Sequence, residues 1–147
     1  MKILAIRLKN LASLAGPFEI DFTAEPLASA GLFAITGPTG AGKSTLLDAL
    51  CLALFGAVPR LNNTGRDAKV PDADGEIGTG DPRTLLRRGT GEGYAEVDFV
   101  GVDGRRYRAR WEANRARDKA AGKLQASRQS LRDIDQDQLL ASQKGEY

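Results

Sequence analysis

One eight-residue loop, Gly37-Pro38-Thr39-Gly40-Ala41-Gly42-Lys43-Ser44, constrains this chain more than any other stretch. It fits G-x-x-x-x-G-K-[ST] at every fixed position, and its flanks are of the kind that motif requires. The apolar run Gly31-Leu32-Phe33-Ala34-Ile35-Thr36 is predicted to be a short buried strand, and Ser44 to Phe55 a helix. Gly37, Gly40 and Gly42 let the backbone turn its N–H groups inward without Cβ clashes. Those amides and the positive end of the following helix would cradle the phosphates of a bound nucleotide. Lys43 would reach the β- and γ-phosphates, and Ser44 would offer its hydroxyl to Mg²⁺. An α/β P-loop fold that binds ATP and Mg²⁺ is therefore expected.

The helix 44–55 is apolar nearly all round and should be buried on most sides, with Asp48 a solvent-facing exception and Gly56 its C-terminal cap. Residues 2–9 alternate, with Ile3, Ala5 and Arg7 on one side and Leu4, Ile6 and Leu8 on the other, as in a strand with one buried face. Gly16-Pro17 marks a turn, and Phe18 to Phe22 alternates, so these two strands should pair. Residues 57–93 are rich in Gly, Asp, Asn and Pro and read as a long surface insertion. One short helix is predicted within it at Pro82–Arg88, capped by Asp81 and ended by Gly89. Arg87 and Arg88 read as solvated arginines, with contact to a nucleotide or DNA as the alternative.

Tyr94–Val100 and Arg105–Glu112, joined at Asp103-Gly104, read as a β-hairpin. Arg106, Arg108 and Arg110 then share one face, either solvated or a basic strip for DNA phosphates. Residues 124–133 form a strand or a short helix, and Gln138–Ala141 a last short strand. No closing element follows, so the 147 residues read as a fragment.

The net charge of +2 names no polyanionic partner by itself. Its distribution says more: residues 101–132 hold ten Arg or Lys against three Asp or Glu. The single cysteine, Cys51, excludes an internal disulfide and suits a reducing compartment. With no histidine, a Cys/His metal site is not expected. Neither a signal peptide nor a membrane span is visible, so a cytoplasmic location with no membrane partner is expected.

Hydrolysis needs more than a cradle: a second carboxylate for Mg²⁺ and a group that orients water. Only Ala95-Glu96-Val97-Asp98-Phe99 approaches a Walker B strand. It alternates where such a strand runs apolar, and its carboxylates fall on the outer face of the hairpin. No catalytic residue is assigned within these residues.

Three stretches together resemble the N-terminal head segment of the SbcC family, the ATPase subunits of bacterial SbcCD nucleases. They are Lys2-Ile3-Leu4 with Arg7-Leu8-Lys9-Asn10-Leu11 and Ser13-Leu14; the run Gly31 to Leu54; and Ala95–Phe99 with Tyr107-Arg108-Ala109 and Asn114-Arg115-Ala116-Arg117. The resemblance is weakest between Asn62 and Gly80. It implies the N-terminal (Walker A) lobe of an ABC-type, SMC-like ATPase head with an antiparallel β subdomain, spanning 1–147. The coiled coil with its zinc hook, the signature motif and Walker B would lie elsewhere. By position, Gly37 through Thr45 would hold phosphates and Ser44 would ligate the metal, with Asn10 and Ser13 near the base and ribose. Gln143 lacks the aromatic-rich continuation of the family's Q-loop and is not taken as that residue.

The resemblance further implies homodimeric head engagement around two ATP molecules. It implies an SbcD-type metallonuclease partner and double-stranded DNA ends and hairpins as substrates, in repair, recombination and replication. Three alternatives compete. A membrane-transporter nucleotide-binding subunit should show an adenine-stacking aromatic, which Lys9–Ser13 lacks. An SMC-like DNA organiser would differ mainly in partner. A small-molecule P-loop kinase should show a lid and substrate arginines in a compact chain.

Overall fold

The structure is a computed structural model that describes residues 1–62, 68–73 and 75–142. Its strands are β1 (Lys2–Lys9), β2 (Phe18–Asp21), β3 (Lys69–Asp72), β4 (Gly75–Gly78), β5 (Glu92–Val100), β6 (Arg106–Asn114), β7 (Arg128–Asp133) and β8 (Gln138–Ala141). One α-helix, α1 (Lys43–Phe55), and short 3₁₀ turns at Pro59–Leu61, Pro82–Leu85 and Ala116–Asp118 complete the described residues. Six strands form one sheet in the order β2-β1-β5-β6-β7-β8, antiparallel throughout, and β3 pairs with β4 separately. Gln143 lies outside the described residues. Among those described, no helix is long and apolar enough to cross a membrane.

Alternation dictates the centre of the sheet. In β5 and β6, Val97 faces Ala109 and Ala95 faces Trp111, all buried. Residues directly opposite in an antiparallel pair share a face. That face carries Ala49, Leu52 and Ala53 of α1, with Leu8 and Leu11 beside them. The expected hairpin is present, closed where Gly101 N–H donates to Arg105 O at 2.9 Å. Residues 128–133 are a strand, and β1 pairs with β2 through Ile6 and Ile20.

Several expectations are corrected. The apolar run 31–36 forms no strand: it joins no described ladder, and Leu32 is 92% exposed, although the Phe33 ring packs against Phe22 just after β2. The six-stranded sheet is antiparallel, with one helix packed on it. The alternation of β1 breaks between Ile3 and Ala5, where an irregular register turns Ile3 toward Phe99. Ile3 therefore packs against the core with Ile6, not beside Arg7.

Helix α1 is not enclosed on most sides, since Leu47 and Phe55 are largely exposed. Asp48, expected in solvent, is 4% exposed and bound by Arg60. The 57–93 segment also sends Val58, Leu61 and Leu85 into the common core. Its 3₁₀ turns bury single leucines, which leaves no periodicity to read. Asp81 does cap its turn, accepting from Arg83 N–H at 2.9 Å, but the helix there is the short Pro82–Leu85.

Candidate phosphate-binding site

Helix α1 begins directly at the end of the glycine loop. Gly42 stands at φ 95°, a left-handed conformation that turns the chain into Lys43. Its carbonyl accepts the Leu46 N–H at 3.3 Å, the first bond of the helix. No side chain caps α1, and the first-turn N–H groups of any helix lack intrahelical acceptors. The mouth of the loop is open: residues 37–41 and Ser44 are exposed, Gly42 and Lys43 are part-exposed, and Thr45 is buried. Ala41 N–H donates to Pro38 O at 3.2 Å, closing the turn.

Lys43 Nζ donates to the carbonyls of Gly37 and Pro38, at 2.6 and 2.8 Å. Its ammonium thus lies folded over the loop. An ammonium held over the loop, a serine hydroxyl one residue on, and the uncapped N-terminus of α1 form a donor set that fits a polyphosphate with a hard cation.

A second loop borders the first. Residues 10–15 fold back with Asn10 N–H on Ala15 O (2.7 Å) and reciprocal bonds between Leu11 and Leu14. Leu14 lies so close to Gly42 that a Cβ there would meet Leu14 Cδ2 at 2.6 Å. Asn10 Nδ2 donates to Glu92 O at 2.9 Å, so that nitrogen is engaged within the fold. Ser13 is exposed on the same loop.

Arg88 is exposed, whereas Arg87 is part-exposed and engaged within the fold. Its Nη1 donates to Ser13 O at 2.7 Å and Ala12 O at 3.2 Å, from 74 and 75 residues away in the chain. No local pattern could have given that contact.

The basic strip is largely neutralised. Arg108 Nε donates to Asp98 Oδ1 at 2.7 Å, and Arg7 Nη1 donates to Asp98 Oδ2 at 2.8 Å. Arg110 reaches Glu96 at 3.0 Å and stacks over Tyr94, and Arg106 pairs with Asp135. Burial opposes ionisation of Asp98, yet the hydrogen bonds and charges of Arg108 and Arg7 outweigh it and hold the carboxyl below its ordinary value. Glu96 and Asp98 lie on the face turned away from α1, committed to arginines. Burial and the charge of Asp48 push the Cys51 thiol up, which favours an inert thiol.

Residues 5–146 match the family described as AAA domain, and the chain belongs to it. The SbcC component of the nuclease SbcCD from Pseudomonas aeruginosa is 71% identical over 144 residues, 98% of this chain and 12% of that protein. The same component from Rhodobacter capsulatus is 60% identical over 144 residues, 97% of this chain and again 12% of the relative. A probable DNA double-strand break repair Rad50 ATPase of Aquifex aeolicus is 43% identical over 60 residues, 41% of this chain and 6% of that protein. The chain thus spans 12% of the length of the first two relatives.

Proposed function

We propose that this chain is the Walker A lobe of an ABC-type, SMC-like ATPase head, in the ATPase subunit of a DNA-end-processing nuclease complex. The observation that carries the reading is the junction of the glycine loop with α1, where Gly42, Lys43 and Ser44 bring backbone amides, an ammonium and a hydroxyl together. Extensive similarity to the SbcC components of SbcCD nucleases supports the nuclease assignment. The transporter alternative draws no support from these relatives.

In this reading Gly37 to Thr45 hold the phosphates of ATP. Lys43 leaves the carbonyls of Gly37 and Pro38 for the β- and γ-oxygens, and Ser44 contributes a hydroxyl to Mg²⁺. Asn10 and Ser13 border the base and ribose. The metal, when bound, neutralises charge on the phosphates. Glu96 and Asp98 take no part, since their arginines hold them on the far face. The water-orienting carboxylate and signature motif come from other parts of the head and from a second copy.

The exposed run 31–36 is the natural seat for strands contributed by the remainder of the head. ATP binding favours engagement of two heads and hydrolysis releases them, gating the access of an SbcD-type metallonuclease to double-stranded DNA ends and hairpins in the cytoplasm.

Lys43→Ala in the intact protein tests the site: ATP hydrolysis should fall to background, and hydrolysis at the wild-type rate would refute it. Affinity purification of the intact protein tests the complex. A metallonuclease should co-purify, whereas a membrane permease in its place would overturn the nuclease reading.

A further inference from the structure

The loop 10–15 is held in a conformation that its own residues disfavour. Asn10 and Ala12 stand at φ 53° and 46°, the left-handed region that side chains bearing a Cβ seldom take up. Contacts from the far end of the 57–93 segment fix it there. Ala12 N–H donates to Leu85 O at 2.8 Å, and Arg87 N–H donates to Asn10 O at 2.9 Å. The guanidinium of Arg87 then gathers two consecutive carbonyls, those of Ala12 and Ser13. Adjacent carbonyls point roughly opposite ways in an extended chain, so one donor reaches both only where the backbone is bent as it is here. Leu14, two residues beyond Ala12, rests on Gly42, where the glycine loop passes into α1 and Lys43.

We propose that Arg87 is a positioning residue of the nucleotide site: by clamping the carbonyls of Ala12 and Ser13 it seats Leu14 on Gly42 and holds the phosphate loop ready for ligand. The inference rests on the reading of Gly37–Ser44 as the phosphate cradle. It gives part of the 57–93 segment a role at that site, as the back support of its wall. Because the side-chain hydrogen bonds of Arg87 among the described residues go to backbone carbonyls, it acts on how well the cradle is formed and not on the chemical step. Its loss therefore raises KM for ATP and leaves kcat near its original value. Arginine suits the task because its planar fork presents several donors in fixed directions, whereas a lysine offers one compact ammonium.

The test is steady-state ATP hydrolysis and direct ATP binding by the intact protein. The variants are Arg87→Met, Arg87→Lys, Leu14→Ala and the double variant Arg87→Met/Leu14→Ala. Arg87→Met should raise KM and Kd for ATP about tenfold, the loss typical for removing charge-assisted hydrogen bonds, with kcat within about twofold. Arg87→Lys should recover part of the affinity. Leu14→Ala should reproduce the effect, and the double variant should be no worse than the poorer single one, since both act through one contact.

An unchanged KM in Arg87→Met, or fully additive losses in the double variant, would overturn the inference. Should Arg87→Met fail to fold, Leu14→Ala with wild-type KM overturns it equally well. A wild-type protein that binds no ATP defeats the underlying site reading. A wild-type protein that binds ATP while Arg87→Met binds it equally well defeats only the role given to Arg87.

Discussion

Arg60 Nε lies 2.8 and 2.9 Å from the two carboxylate oxygens of Asp48, on a helix whose other buried positions are Thr45, Ala49, Leu52 and Ala53. Asp48 is almost fully buried, while Arg60 keeps about half of its side chain in solvent. The pair pins the 3₁₀ turn Pro59–Leu61 back against α1, the helix that follows the glycine loop. Its two halves are unequal. Removing Arg60 strands a buried carboxylate, whereas removing Asp48 leaves an arginine that water can solvate. Arg60→Ala should therefore destabilise the chain by about 1–3 kcal/mol, and Asp48→Asn in that background should recover part of it. Urea unfolding of the two single variants and the double variant measures this. A double variant less stable than Arg60→Ala alone would contradict the stranded-charge account.

Gly42 carries two constraints at once, a left-handed φ of 95° and a close approach by Leu14. Gly42→Ala should destabilise the chain by at least about 1 kcal/mol from the backbone alone, with the steric clash added to that. Leu14→Ala in the same variant should relieve the clash and leave the backbone cost. Thermal unfolding of the four proteins separates the two contributions. If Leu14→Ala restores nothing, the contact seen between these residues does not limit the site.

Asp98 gives the fold a dependence on pH whose sign follows from its setting. Arg108 and Arg7 hold its folded value below the ordinary 3.8 despite the opposing effect of burial. Between the folded and unfolded values the native state thus binds fewer protons than the unfolded chain. The stability contributed by Asp98 is present in full above the ordinary value and is lost as pH falls through the lower folded one. Asp98→Asn should accordingly give a shallower loss of stability below about pH 4, read from urea midpoints across a pH series. A variant that keeps the wild-type acid slope would place that dependence in other carboxylates.

Where the sequence carried a period, the structure could be read in advance. The alternation of 94–100 and 105–112 specified the central hairpin, and the continuous run after Ser44 specified α1 with its Gly56 cap. The turn of the glycine loop into α1 was legible because it is local: left-handed Gly42 leads into Lys43, whose ammonium bonds the carbonyls of Gly37 and Pro38. What stayed hidden depended on partners distant in sequence. Asp48 looks like a surface residue until Arg60 is folded back on it, and Arg87 until residues 12 and 13 arrive. The run 31–36 shows the converse. Its composition is that of a buried strand, but a strand needs a hydrogen-bonded neighbour, and the run joins no described ladder.

Helix α1 illustrates the same distinction within one element. Its sequence is apolar on every side, so patterning cannot say which leucines matter, whereas Leu52 is fully buried and Leu47 is 62% exposed. The sheet beneath offers small residues, with Ala95, Ala109 and Ala113 lying in one cluster with Ala49 and Ala53, which lets helix and strands approach closely. Three substitutions should then separate cleanly in chemical denaturation of the chain. Leu52→Ala removes a packed side chain and should cost about 2–5 kcal/mol. Ala109→Leu forces extra volume between helix and sheet and should cost about 1–3 kcal/mol. Leu47→Ala touches neither and should stay within about 0.5 kcal/mol of the parent. Equal losses at Leu47 and Leu52 would mean that both sides of α1 are covered, and that the one-sided packing of helix on sheet is wrong.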